Sequence, residues 1–226
     1  MKRIGILIVG LMGLALFLNC NPASSDNSSG SSTVKDTDGN VYHTVTIGTQ
    51  TWTVENLKTT HYNDGTTIPN VSDSAAWGNL TTGAYCWYNN SSSNKSTYGA
   101  LYNWYAVNTG KLAPKGWHVP TAAEWDTLAE YLGGADAAAG ALKDTTCWKS
   151  PNTGATNSSG FSALPGGCRN INGYFNVILL FGNWWSATAS NASIAYYRYL
   201  TFNNSILSKY DLGMSCGFSV RLVRDN

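Results

Sequence analysis

Apolar residues recur at Trp125, Leu128, Ala129 and Leu132, spaced i, i+3, i+4 and i+7, and this stripe predicts a helix that lays one face on a core. The residues before it specify where it begins. Thr121 and Glu124 stand three apart, the spacing of a capping box: the hydroxyl accepts from a first-turn N–H and the carboxylate reaches back to the cap's own N–H. Pro120 cannot extend the helix backwards and pushes Val119 towards an extended conformation, while Gly133-Gly134 supplies the stop. The stretch Gly116-Trp117-His118-Val119-Pro120 therefore reads as a strand end turning a fixed corner into a helix, held to the core by Trp117 and Trp125.

Elsewhere the pattern predicts mainly strands. Val41 to Ile47 is rich in strand formers, and Gly48-Thr49-Gln50 turns it into Thr51–Val54, a hairpin. Asp36, Asp38 and Asn40 match positions 1, 3 and 5 of a calcium loop. Val41 and Ile47 stand where Gly and a bidentate carboxylate are needed, so an Asx-bonded turn is the better reading. Asp73–Trp77 reads as a short helix, and Tyr85–Tyr88 as an aromatic strand entering the polar loop Asn89–Ser96. Leu101, Trp104 and Tyr105 share a helical face, which predicts a first main helix over Gly99–Val107, with 121–132 the second and Ala137–Lys143 a shorter one. Beyond the loop-rich stretch after Cys147-Trp148, a meander follows at Phe161–Leu164, Trp184–Thr188, Ala195–Phe202, Ile206–Tyr210 and Phe218–Val223. Asn172-Gly173 and Asn203-Asn204 are its turns. The expected class is α+β, with two main helices, a twisted antiparallel sheet and long loops.

The first twenty residues follow a different pattern. Lys2-Arg3 precede an apolar run from Ile4 to Leu18, too short for an ordinary transmembrane helix and laid out as a secretory signal. Cys20 directly after it resembles the lipobox of bacterial lipoproteins, although Phe17 and Asn19 are bulkier than usual there. The expected organisation is an acylated-Cys leader over 1–20, a Ser/Asn-rich tether over 21–33 and one domain over 34–226. That layout places the protein outside the cytoplasm, lipid-anchored at the outer membrane or cell surface. Composition agrees: charged residues are only 12% of the chain, aromatics also 12%, and a net charge of +1 offers nucleic acid no electrostatic footprint.

Five motifs occur in order: Asp38-Gly39-Asn40-Val41-Tyr42, Glu55-Asn56-Leu57-Lys58, Gly99-Ala100-Leu101-Tyr102-Asn103-Trp104, Gly116-Trp117-His118-Val119-Pro120 and Gly217-Phe218-Ser219-Val220-Arg221. By these the chain resembles the Fibrobacter succinogenes major paralogous domain family over about Val34 to Asp225. That resemblance implies an exported, often lipid-anchored envelope protein with a fold similar to C-type-lectin-like and formylglycine-generating-enzyme domains. Family members often carry two further cysteines where this chain has Ala113 and Leu222, which fits the loss of one bridge. Without Cys20, four cysteines remain: Cys86, Cys147, Cys168 and Cys216. Two bridges in an oxidising compartment allow three connectivities, between which sequence does not decide. The favoured pairing is Cys168–Cys216, with Cys86–Cys147 the weaker candidate, and a bridge closing a loop that long is expected to stabilise by roughly 3–4 kcal/mol.

Candidate chemistry is sparse. The oxidase template needs two close cysteines for copper, whereas Cys168 follows Gly166-Gly167 alone and the next, Cys216, comes 48 residues later. The Ser150-Pro151-Asn152 and Ile68-Pro69-Asn70 triplets lack the carboxylate of a calcium lectin site. His43, His61 and His118 are scattered without ligand spacing, His118 being read as packing or hydrogen-bonding in the corner. No metal site and no cofactor are expected, and capping accounts for Glu124. What remains is an aromatic excess at strand ends and loops: Trp87, Tyr88, Trp148, Trp184, Trp185, Tyr196 and Tyr197. Ring faces beside amides suit polysaccharide, and alternation along a strand predicts one of Trp184 and Trp185 buried and the other free. The sequence therefore points to a non-catalytic envelope module binding glycan or protein. An enzyme on the oxidase-like scaffold is the alternative, and an assembly component with a flat apolar patch a third.

Overall fold

The computed structural model describes residues 32–225. In chain order the strands and helices are β1 (Thr33–Lys35), β2 (Val41–Ile47), β3 (Gln50–Thr53), α1 (Ser74–Gly78), β4 (Tyr85–Cys86), α2 (Lys95–Tyr98), β5 (Leu101–Tyr102) and α3 (Trp104–Val107). They continue as β6 (Trp117–His118), α4 (Ala122–Tyr131), α5 (Ala135–Leu142), β7 (Cys168–Arg169), β8 (Phe175–Asn176), β9 (Phe181–Ala189), β10 (Ile194–Thr201), β11 (Ser208–Gly213) and β12 (Val223–Arg224). The domain is mixed α/β, mostly antiparallel sheet with few helices. One curled sheet runs β1-β2-β3-β12-β6 and a second β11-β10-β9, with two two-stranded pairs beside them.

The expected corner is present. Thr121 Oγ1 accepts from Glu124 N at 3.2 Å while Glu124 Oε2 accepts from Thr121 N at 2.8 Å, closing the capping box. Trp125, Leu128 and Ala129 are buried beneath α4, and the chain leaves it through Gly133 and Gly134, both at positive φ. The first hairpin pairs Thr44 with Thr53 and Ile47 with Gln50. Ahead of it, Asn40 N and Nδ2 donate to the Asp36 carboxylate, the Asx turn that pattern favoured.

Several elements differ from expectation. Gly99–Val107 is not one helix: Leu101 and Tyr102 pair with Cys86 and Tyr85, and only Trp104–Val107 is helical. Asn103 divides them, because its Oδ1 accepts from Ala106 N as a helix cap and from Ala84 N, so the helix cannot begin earlier. Among the described residues the two longest helices are α4 and α5. Phe161–Leu164 is no strand and makes a single bridge, Lys143 to Ala163. In Phe218–Val223 only the last residue belongs to a strand; Phe218 and Ser219 make isolated bridges to Tyr102 and Trp184.

β9 runs between two apolar clusters. Trp185 lies in one with Tyr102, Trp104 and Phe218, and Trp184 in the other with Trp52, Trp125 and Phe161. In the second cluster Trp125 sits 4.8 Å from Trp52, 6.0 Å from Phe161 and 6.5 Å from Trp184, centroid to centroid. Regular structure is scarce here, and buried cations hold the loops instead. Lys143 Nζ donates to the carbonyls of Thr153, Thr201 and Asn204, and Arg169 to those of Val71, Ser72 and Gly173. Both side chains are fully buried, so each loop carbonyl they reach has exchanged water for a charged donor.

Candidate functional site

Three of the five sequence motifs meet in packing. Arg221, wholly buried, donates from Nε to Asn56 Oδ1 at 2.7 Å, from Nη1 to Thr53 O and Phe161 O at 2.8 Å each, and from Nη2 to Ser162 O at 2.9 Å. Asn56 also accepts from Trp184 Nε1 at 2.9 Å and donates to Tyr98 O and Ser219 Oγ. Gly99, at φ +72, passes so close to Asn56 that an added Cβ would meet its Cβ at 2.8 Å. Burial pushes the Arg221 guanidinium down to about 9, against the pull of Glu55. Three motifs thus build one buried polar node that ties the C-terminal segment to the segment after β3.

The corner motif carries a second polar group. His118 Nε2 lies 2.7 Å from Glu124 Oε1 and Nδ1 lies 2.6 Å from Asp225 Oδ1, so both ring nitrogens face carboxylates. Partial burial pulls its pKa down, but the hydrogen bonds to Asp225 and Glu124 and their charges outweigh it and raise the value. Trp117, on β6, is half-buried against the first cluster. Glu124 is therefore occupied twice, by the cap and by His118. Each remaining histidine also pairs through Nδ1, His43 with Glu55 and His61 with Asp38. Among the described residues no group of three His, Cys, Asp or Glu could hold a metal ion.

The aromatic candidates separate cleanly. Trp87, Tyr88, Trp148, Trp184 and Trp185 are buried, which corrects their reading as a binding surface. Trp184 and Trp185 do point to opposite faces of β9, but each face covers a cluster, so neither indole is free. Trp185 Nε1 donates to Tyr102 O at 2.8 Å and Trp148 Nε1 to Ala163 O at 2.9 Å. Trp87 packs edge-on against Tyr85, and Tyr88 against Phe175. Tyr196 and Tyr197 are partly exposed on opposite faces of β10, Tyr196 beneath the Lys209 ammonium at 5.2 Å.

The face that carries Tyr197 holds an aromatic strip the sequence reading missed. Phe181 on β9, Tyr199 and Tyr197 on β10 and Tyr210 on β11 follow one another with centroids 6.0, 5.8 and 6.4 Å apart. Strand pairing places all four on one side with Asn183, Trp185, Thr201, Ser208 and Leu212; no charged side chain stands among them, and Tyr197 packs inward against Trp185 and Phe218 of the first cluster. Arg198, Lys209 and Asp211 point the other way, where Arg198 and Lys209 reach Asp126 of α4. Tyr210 is 61% exposed, and the other three rings are partly exposed. The signal was available: Tyr197 and Tyr199 are two apart on a strand, and the Asn203-Asn204 turn brings Tyr210 alongside.

The cysteines are also corrected. Cys86, Cys168 and Cys216 are free thiols, so neither Cys168–Cys216 nor Cys86–Cys147 is formed. Arg169 pairs with Gly217, which sets Cys168 and Cys216 diagonally across the ladder rather than opposite one another. Burial pushes Cys168 up to about 11 and Cys216 up to about 12. Burial also pushes Cys86 up to about 12, even beside the Arg169 guanidinium. In all three, burial disfavours the thiolate, the form that acts as nucleophile. Cys20 and the leader lie outside the described residues, and among the described ones no helix is long and apolar enough to cross a membrane.

The molecule is thus a mixed, mainly antiparallel domain whose ordered motifs serve its packing. The model of the Fibrobacter succinogenes major domain matches residues 45–224, and the chain belongs to that family. No curated protein and no solved structure matches it.

Proposed function

We propose that the protein is a non-catalytic binding module of the cell envelope whose ligand is an uncharged polysaccharide laid along the exposed edges of the aromatic strip on β9–β11. The observation that carries this reading is the strip Phe181–Tyr199–Tyr197–Tyr210, aromatic, uncharged and bordered by the Ser208 hydroxyl. Sugar rings present apolar faces and hydroxylated edges, and phenol rings satisfy both at once. A charged glycan or an acidic peptide would find no counter-ion there. In this reading residues 1–20 form the leader with Cys20 acylated, 21–33 the tether and 34–226 the binding domain, held at the outer membrane or cell surface. The pairing of α4 and α5 with a curled sheet and long loops supports a C-type-lectin-like or formylglycine-generating-enzyme-like arrangement.

The test is electrophoresis of the full chain through native gels cast with neutral polysaccharides. Retardation is expected, and Tyr199→Ala and Tyr210→Ala should each weaken it several-fold, the loss of about 0.5–1.5 kcal/mol of ring stacking. Migration unaffected by every polysaccharide, or retardation untouched by both variants, would refute the reading. Capture of an envelope protein through the same tyrosines would replace it with the protein-binding version.

A further inference from the structure

On a separate part of the surface, a depression of about 270 Å³ is lined by Asn40, Lys58, Ser92, Ser93, Lys95 and Ser96. Three distant pieces of chain meet there: the Asx turn before β2, the segment after β3, and the short helical turns leading into α2. Both ammonium groups rest on buried aromatic rings, Lys58 5.7 Å from the centroid of Tyr42 and Lys95 5.5 Å from that of Trp87. These ring contacts hold two flexible stems over one hollow. Neither ammonium has a carboxylate or hydrogen-bond partner among the described residues, whereas Lys111 and Lys209 both sit on aspartates. Among the described residues no carboxylate lines the hollow. The nearest in sequence are already engaged, Asp36 by Tyr42 and Asn40, and Asp38 by Thr60 and His61.

We propose that this depression is an anion site that takes a phosphate group, free or carried on a sugar. Two point charges and the hydroxyls of Ser92 and Ser96, beside a Ser93 hydroxyl already bonded to Ser91, supply more donors than a carboxylate can accept, and they match the several oxygens and double charge of a phosphate. The volume suits one phosphorylated monosaccharide rather than a polymer segment. Because the net charge of the chain is only +1, attraction here is local, arising from two unneutralised lysines in one hollow. This site is independent of the aromatic strip, and either can fail without the other.

The test is a two-dimensional amide NMR titration of the full chain at low ionic strength, with inorganic phosphate in one arm and a hexose phosphate in the other. Saturable shifts are expected at Asn40, Lys58 and Ser92 to Ser96. Lys58→Gln combined with Lys95→Gln should weaken binding by about tenfold or more. The paired Lys→Arg variant, which keeps both charges, should still bind, and Lys111→Gln should behave as the parent. Tighter binding of the hexose phosphate assigns the phosphate to a sugar, and equal binding assigns it to the free ion. Shifts that never saturate, that spread equally over all lysines, or that survive the double glutamine variant would overturn the proposal.

Discussion

Replacing Arg221 by methionine tests whether buried cations hold this fold or burden it. The substitution keeps an apolar side chain of similar reach and removes every donor. The carbonyls of Thr53, Phe161 and Ser162 then lose their charged partner, and the last two lie outside any strand. Asn56 Oδ1 keeps its bond from Trp184 and suffers less. Three orphaned carbonyls at about 1–3 kcal/mol each cost about 3–9 kcal/mol, and no longer burying a charge offsets part of that. The expected net loss is about 3–5 kcal/mol, a third or more of the stability of an ordinary domain. Urea unfolding followed by the fluorescence of the 9 tryptophans measures it. With a slope of about 2 kcal/mol per molar urea, the midpoint should fall by about 1.5–2.5 M at unchanged slope. Arg224→Met, three positions on and exposed, should stay within about 0.5 kcal/mol. An Arg221→Met variant as stable as the parent, or more so, would mean that the desolvation of the guanidinium outweighs its four hydrogen bonds.

His118 makes the fold pH-sensitive. Its folded pKa is raised above the ordinary 6.5, so its contribution is complete below that value and is lost as pH rises through the folded pKa. An imidazole NMR titration should show the raised midpoint, and Asp225→Asn should return it towards 6.5; an unmoved midpoint would refute the double pairing. Thiol counting with a chromogenic disulfide should find Cys168 reacting first in the native chain, since it is only half-buried, and Cys86 and Cys216 reacting fully only in denaturant. Failure of Cys168 and Cys216 to react in denaturant would mean they are bridged after all. Trp125 Nε1 is buried without a hydrogen-bond partner among the described residues, whereas Trp184 Nε1 bonds Asn56. Trp125→Phe should therefore cost less than Trp184→Phe by about 1 kcal/mol, and the reverse order in urea would contradict that assignment.

The elements legible in the chain were those decided by neighbours a few residues apart. The capping box at Thr121 and Glu124, the hairpin at Gly48 to Gln50, and the turns at Asn172-Gly173 and Asn203-Asn204 are local geometry, and all are present. Alternation along β9 was also legible, since Trp184 and Trp185 do point opposite ways. What that alternation meant was not, because periodicity states which residues share a side and not what covers that side. A second apolar cluster, assembled from β3, α4, α5 and the loop at Phe161, closed over Trp184 while the first closed over Trp185, so neither face was left free. The helix drawn over Gly99–Val107 failed for a related reason. Its apolar spacing suits a helix, but Tyr102 is claimed by Phe218, more than a hundred residues away, through two backbone bonds of 2.9 and 3.0 Å. The cysteines make the same point, since whether two thiols can bridge depends on a ladder register that no spacing encodes. From the chain alone came the segments, their caps and turns, and the family motifs, because these follow from bonds and sterics within one or two turns. Which tryptophans are core, which aromatic rings line up across β9–β11, and which lysines meet over one hollow were decided only by folding, since burial and charge pairing belong to surfaces brought together from distant parts of the chain.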